Sequence, residues 1–499
     1  MRLQQAGSLN QAKDLYASIL KTHPKHVAAL NFLGMAHFDQ GRFDTALHFI
    51  DRAVAANPQY ASARYHKGLA LQALGRLEDA VRSFDRAIAL KPDYPQAVLG
   101  RGVALEDLGQ VDGALSSYGH AISLNPRFAE AYYNRGALLQ AFRRLDDAIA
   151  QYDRALAISP DLVVATWNKA TAHLLKGDFP TGWRLHESRW RLKEGAPTPR
   201  HFRQPVWAGG AIASGGTLLL HGEQGLGDTL QFCRYAPMIG PGVRVILEAP
   251  APLVRLMGTL GGVDQVVAFG DPLPAFDLHC PLLSLPLAFA TTIETIPAST
   301  PYLSAGPNAV DSWRRRLASL PGLKVGLVWA GDPRPGLPKA TAVDARRSMR
   351  LAAMAPLGGV AGISFISLQK GAGAAQAAVP PPGLALHDFT AELRDFADTA
   401  ALMQALDLVI SVDTSVAHLA GALAKPVWLL NRYDTCWRWL LDRDDSPWYP
   451  TLRQFRQPSP GDWASVIDRV RDALRRTVEG DRTQLRAQAG VRTWSEPGA

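Results

Sequence analysis

The fold class this 499-residue chain predicts is multidomain: an all-α array of helical hairpins followed by an α/β region built on two parallel sheets. Two observations carry that expectation: a fixed 34-residue step through the first third, and short apolar runs alternating with helical stretches through the rest. Length supports it, because a single hydrophobic core stops growing at roughly 250–300 residues, which points to two to four domains.

The step is read from several registers at once. Pro24, Pro58, Pro92, Pro126 and Pro160 recur every 34 residues, as do Gly34, Gly68, Gly102 and Gly136. Ala46, Ala80, Ala114 and Ala148 keep the same interval, and so do Ala53, Ala87, Ala121 and Ala155. A bulky position follows suit at Tyr16, Ile50, Phe84, Tyr118 and Tyr152. Small residues let paired helices approach, the bulky one fills the space between hairpins, and proline stops the second helix. Gly41, Gly75 and Gly109 turn the chain between helices, with Arg143 in place of glycine at the fourth turn.

These registers resemble the tetratricopeptide (TPR) repeat over about residues 1–176. One hairpin cannot bury its apolar face alone, so the repeats stack into a superhelix whose groove takes a peptide or protein partner. Residues 8–20 read as the second helix of a repeat whose first is missing, so the start reads as truncated or as an exposed end. The array with its capping helix is placed at 1–178, and a further capping helix and linker at 179–214, with Trp183 and Trp190 as buried cap residues.

Composition excludes several classes. The net charge of +8 comes from 53 basic and 45 acidic residues spread along the chain, so no nucleic-acid partner is expected. Cys233, Cys280 and Cys436 are far apart and form no zinc spacing, so neither a metal, a cofactor nor a disulfide is expected. The start lacks a signal-peptide core and no run is long enough to span a bilayer, which predicts a cytoplasmic protein.

From 215 onward, apolar runs at Thr217–His221, Arg244–Glu248, Gln265–Phe269, Lys324–Trp329, Ser364–Leu368, Leu408–Val412 and Pro426–Leu430 read as strands covered on both faces. They fall into two groups, 215–320 and 321–476, with a helix around Asp311–Leu320 between them and a tail at 477–499. Ligands bind such sheets at the carboxyl ends of the strands.

Two strand-to-helix turns carry the chemistry. After the first strand comes His221-Gly222-Glu223-Gln224-Gly225-Leu226-Gly227-Asp228, leading into a helix from Thr229. Its glycines admit a ligand near the backbone. Asp228 can take a proton from a hydroxyl or cap the helix. The second turn, Val412-Asp413-Thr414-Ser415-Val416-Ala417-His418, presents small hydroxyls and free N–H groups suited to a diphosphate. His418 is either part of that site or a satisfied helix histidine.

With Val328-Trp329-Ala330-Gly331, Arg347-Ser348, Ser367-Leu368-Gln369-Lys370 and Trp437-Arg438-Trp439 through Pro450, these turns resemble family 9, heptosyltransferase-type glycosyltransferases. The layout is similar to bacterial TPR-bearing O-GlcNAc-transferase-like proteins and flagellin glycosyltransferases. The resemblance implies a GT-B fold of two facing Rossmann-like domains, and metal-independent inverting transfer from a nucleotide-diphosphate sugar. It makes Asp228 the general base. Asp413, Thr414, Ser415 and His418 become the donor site, joined by Gln369 and Lys370, with Lys370 or Arg347 as cation for the leaving group. Gly225, Gly227 and Arg347 become acceptor or phosphate contacts. The asparagine ladder of O-GlcNAc transferases is kept only at Asn134 and Asn168, against Phe32, His66 and Gly100, so an identical peptide grip is not carried over. The Trp437–Pro450 aromatics read as packing between domains. Two alternatives stay open: a non-catalytic interaction scaffold with a vestigial GT-B domain, and a lipopolysaccharide-type transferase.

Overall fold

The computed structural model describes residues 9–486 apart from 194, 196, 335 and 337; Met1–Ser8 of the expected array start and 487–499 of the expected tail lie outside the described residues. The chain divides into two compact units between Lys169 and Ala170.

The first unit is all helical. Helix α1 (Leu9–Thr22) precedes four hairpins: α2 (Val27–Phe38) with α3 (Phe43–Ala56), α4 (Ala61–Ala73) with α5 (Leu77–Leu90), α6 (Pro95–Asp107) with α7 (Val111–Leu124), and α8 (Ala129–Ala141) with α9 (Leu145–Ile158). Helix α10 (Val163–Lys176) follows and crosses the boundary between units. The repeat registers explain why the helices sit as they do. A Cβ built on Gly34, Gly68, Gly102 or Gly136 would lie 2.6, 2.5, 2.6 or 2.8 Å from a side-chain atom of Ile50, Phe84, Tyr118 or Tyr152. Each bulky residue is thus seated on the glycine of its own hairpin, and the two alanine registers are wholly buried beside it. The tyrosines bring a hydroxyl inside, and it is satisfied locally: Tyr118 donates to Glu106 at 2.6 Å and Tyr152 to Gln140 at 2.8 Å.

Ends follow local rules. The second helices close with Asn57, Lys91, Asn125 and Ser159 donating to the carbonyls of Ala53, Ala87, Ala121 and Ala155, and the next residue each time is the repeat proline, which cannot continue the helix. At the inter-helix turns Gly41, Gly75 and Gly109 take φ of 72–73°, and Arg143 is held at φ 63° in the same left-handed position.

Beyond the end of α10 the second unit continues with α11 (Phe179–His186), capped by Asp178 and followed by a 3-10 turn. Its first sheet contains β1 (Thr217–His221), followed by α12 (Leu226–Phe232), then β2 (Arg244–Ala249), β3 (Gln265–Ala268) and β4 (Leu278–Pro281), in the order β3-β2-β1-β4. After α13 (Pro307–Leu317) the second sheet contains β5 (Leu323–Val328), with α14 (Pro338–Arg347), β6 (Ile363–Ser367) and β7 (Leu386–Asp388) next in the chain. Then come α15 (Phe396–Gln404), β8 (Leu408–Val412), α16 (Ser415–Ala422), β9 (Val427–Asn431), β10 (Leu452–Arg456) and α17 (Trp463–Val478). The order is β10-β9-β8-β5-β6-β7, and every strand pair in both sheets is parallel.

Three strands are not legible as apolar runs: β4, β7 and β10. All three lie at sheet edges, with a neighbouring strand on one side only; β4 carries His279 and Pro281, β7 is three residues long, and β10 carries Arg453, Gln454 and Arg456. The Pro- and Gly-rich stretch expected as a linker also packs. Val206 bridges His279 of β4, the Trp207 N–H donates to the His279 carbonyl at 2.7 Å, and the Trp207 ring is buried. Trp183 is buried, donating from Nε1 to the Thr291 carbonyl and packing edge-on against Trp437, whereas Trp190 is only half-buried. Among the described residues no helix is long and apolar enough to cross a membrane.

The seating of Phe84 on Gly68 can be tested directly. Gly68→Ala pushes a methyl into the ring and should destabilise the array by about 1–3 kcal/mol, the usual cost of overpacking. Pairing it with Phe84→Leu should recover part of that loss in chemical denaturation, and a neutral Gly68→Ala would refute the contact.

Candidate functional site

The turn after β1 and the turn after β8 meet. Gly225 is the N-cap of helix α12 and Thr414 that of α16, and the two helices pack side by side through Gly227. A Cβ there would fall 3.0 Å from His418 Cδ2 and 3.5 Å from Ser415 Cα, so glycine is what permits the approach. Gly225 in turn lies near Arg334, whose Nη2 would be 3.5 Å from a Cβ at that position.

Both carboxylate oxygens of Asp228 are engaged. Its Oδ2 reaches back to accept the N–H of the N-cap residue Gly225 at 2.9 Å, while Oδ1 pairs with the guanidinium of Arg438. Arg438 is itself fixed, donating from Nε to Gln231 Oε1 at 2.8 Å and lying 4.2 Å over the Trp437 ring. Burial alone would ease its proton off, but Asp228, Cys436 and Asp413 overcome this and raise its pKa well above that of an ordinary arginine.

His418 is 5% exposed, stacked on Trp439 at 5.1 Å, with Nδ1 2.9 Å from the Tyr449 hydroxyl. Burial, followed by the charges of Arg438, Arg234 and Arg347, holds its pKa well below 6.5, so the ring is neutral at ordinary pH. Its Nε2 has no hydrogen-bond partner among the described residues. Asp413, Thr414 and Ser415 are half-buried beside it, and Thr414 makes no side-chain cap bond, so the first turn of α16 keeps N–H groups to offer a ligand.

The remaining sequence candidates divide. Arg347 lies over Gly331, with Nη2 2.5 Å from where a Cβ would stand, and its Nε donates to buried Asp344 at 2.9 Å. Gln369 is buried and wholly spent on backbone: Oε1 accepts from Trp329 and Ala330, and Nε2 donates to the carbonyls of Ala330 and Lys370. It shapes the turn after β5 and has no polar position left for a donor, which corrects its sequence-level reading as a donor contact. Lys370 donates to the carbonyls of Thr390 and Leu393 at 2.8 and 3.0 Å, which ties its ammonium to the loop after β7. A free cation for a leaving group is therefore not what Lys370 presents.

Arg438, Arg234 and Arg334 join the site without having been expected there. The only signal in the sequence is the flanking of Arg438 by two tryptophans. A second charged group sits beneath the first turn: Arg189, wholly buried, donates to Glu223 at 2.8 and 3.1 Å, and burial raises the Glu223 carboxyl to about 7 even though Arg189 opposes this. Among the described residues no group of three or more His, Cys, Asp or Glu side chains is placed to hold a metal ion.

Comparison with known proteins identifies the first unit. Tetratricopeptide repeat families match residues 3–73, 65–122 and 129–162, and a TPR repeat family matches 107–141. The N-terminal region is thus a TPR superhelix, a protein-interaction scaffold. Protein FlbA of Caulobacter vibrioides (strain ATCC 19089 / CIP 103742 / CB 15) is 28% identical over 331 residues, covering 62% of this chain, and the chain spans about half, 54%, of that relative's length. Among solved structures, MamA is 27% identical and covers 32% of this chain and 93% of its own at a TM-score of 0.29. TTC0263, a thermophilic TPR protein in Thermus thermophilus, is 28% identical with coverage of 35% and 94% and a TM-score of 0.32.

Buried histidines make the second unit sensitive to acid. His221 Nε2 lies 3.2 Å from His279 Nδ1, and burial, His279, Arg200 and Arg189 push its pKa down from 6.5 to about 3. The unfolded chain therefore takes up this proton first. The stability contributed is complete above pH 6.5 and is lost as pH falls toward about 3. His418 is shifted in the same direction. Urea denaturation should show stability falling below pH 6.5 by up to about 1.4 kcal/mol per pH unit for each such histidine. His221→Gln should flatten that slope, and an unchanged slope would contradict the burial of a neutral ring.

Proposed function

We propose that the second unit has the GT-B fold and is a glycosyltransferase moving a sugar from a nucleotide-diphosphate donor to an acceptor protein held by the TPR repeats. One observation carries this reading: the carboxylate of the β1 turn and the first turn of α16 share a single Arg-lined site, in contact through Gly227. Two all-parallel sheets whose strand-end turns meet are the setting in which such ligands bind.

In this reading the donor diphosphate rests on the N–H groups of α16 and the hydroxyls of Thr414 and Ser415, with Arg347 and Arg438 neutralising its charge. The acceptor hydroxyl oxygen attacks the anomeric carbon as the bond to the diphosphate oxygen breaks, and its proton passes to Asp228. Asp228 is paired with Arg438 in the free protein, so an arriving diphosphate competes for the guanidinium and releases a carboxylate oxygen for the acceptor. Neutral His418 then contributes a hydrogen bond from, or to, Nε2 rather than a charge.

The occupation of both Asp228 oxygens also favours a second reading, in which the unit keeps the fold without catalysis and the protein is an interaction scaffold. A lipopolysaccharide-type acceptor would use the same site; the fused repeats favour protein.

Asp228→Asn separates the readings. Transfer or donor hydrolysis assayed across a panel of nucleotide sugars should fall by about 10²–10⁴-fold in the variant, the scale of a lost general base. Unchanged turnover would remove the mechanism, and a folded wild-type protein that binds no donor in calorimetry would leave the scaffold.

A further inference from the structure

The repeat array carries a ladder of ion pairs beside its apolar registers. A cation stands one residue before the repeat glycines Gly68, Gly102 and Gly136 and before Ala170 in the same register, at Lys67, Arg101, Arg135 and Lys169, and an acid stands at Asp51, Asp85 and Asp153. Three of the four cations grip the acid on the second helix of the preceding hairpin: Lys67 to Asp51 at 2.6 Å, Arg101 to Asp85 at 2.7 Å, and Lys169 to Asp153 at 2.5 Å. The rung between the last two is broken. Gly119 occupies the position where the 34-residue step calls for an acid, and Arg135 makes no ion pair among the described residues.

Two further observations mark the gap as open. In the rung below, Arg101 also donates to Ser117 Oγ at 2.8 Å; the residue equivalent to Ser117 one repeat later is Gln151. Arg135 Nε and Gln151 Oε1 are both buried without a partner, although desolvating either group unpaired is costly. A Cβ built on Gly119 meets nothing within 4 Å, so the space for an acidic side chain is empty of protein atoms.

We propose that this broken rung, at the seam of α7 and α8, is a docking point for an acidic segment of a partner protein, whose Asp or Glu side chain enters above Gly119 and pairs with Arg135. Charge and shape both select a carboxylate. The guanidinium is a planar fork of donors matched to two oxygens, and the neighbouring acids, Asp85 and Asp153, are already held by their own cations. A polypeptide is the occupant because the missing piece is one acidic side chain in a seam otherwise closed by side chains of that kind, on an array that serves as a protein-interaction scaffold. The inference concerns the first unit and does not depend on the chemistry of the second.

Panning a random display library of about twelve-residue peptides against the full chain tests it. Asp or Glu should be enriched at one peptide position by about fivefold or more, the scale of a charge-assisted pair. That preference should vanish against Arg135→Gln and Gly119→Asp, and persist against Lys67→Gln, which breaks a rung that is already closed. Thermal melts check that the variants fold and test the geometry: Gly119→Asp should be more stable than Gly119→Ala only while Arg135 is present. The proposal is overturned by no acidic preference in the wild-type selection, by a preference that survives both gap variants, or by a Gly119→Asp gain that persists without Arg135. Displacement by inorganic phosphate without any acidic peptide preference would assign the gap to a free anion instead.

Discussion

Backbone that must lie against a ring can carry no Cβ, and that constraint recurs wherever this protein is organised. In the array it seats Phe84, Tyr118 and Tyr152 on glycines of their own hairpins, so that a helix pair closes tightly enough for its alanines to vanish from solvent. In the second unit it lets α12 press against His418 through Gly227. The same approach that builds the scaffold also assembles the site, because at van der Waals distance the carboxylate of one turn and the imidazole of the other share one environment.

That environment is governed by buried guanidinium groups. Arg234 is 3% exposed and no carboxylate pairs with it among the described residues. It donates instead to the carbonyls of Gln231 and Trp448 and to the Tyr302 hydroxyl, and lies 4.6 and 4.5 Å over the rings of Tyr302 and Tyr449. A buried ion costs several kcal/mol in lost hydration, which a complete set of acceptors and two aromatic faces offsets. The result is a fixed positive field behind Tyr449, whose hydroxyl meets His418. Burial first, and then this field with Arg438 and Arg347 adding to it, keeps the imidazole neutral.

Central strands and edge strands differ in how plainly they can be read. β1 and β8 begin and end where their apolar runs do, because a strand covered on both faces must be apolar throughout. β4, β7 and β10 leave no such trace because an edge position relaxes that demand. Turn chemistry points to Asp228 and to the Asp413–His418 segment, since glycine and small hydroxyls after a strand have few other uses. It misjudges Gln369, whose amide looks available for a ligand until its four bonds to backbone are seen.

The amino-acid order alone determined the hairpin period, the sites of the turns and the succession of parallel strands, because these depend on residues a few places apart and on side-chain volume. Tertiary structure decided which charges meet. Asp228 and Arg438 stand 210 residues apart, and nothing local to either predicts the other. Whether a polar side chain is satisfied within the fold is settled by partners that only folding brings within hydrogen-bonding distance: Gln369 finds backbone on every side, whereas Arg135 Nε is buried without a partner.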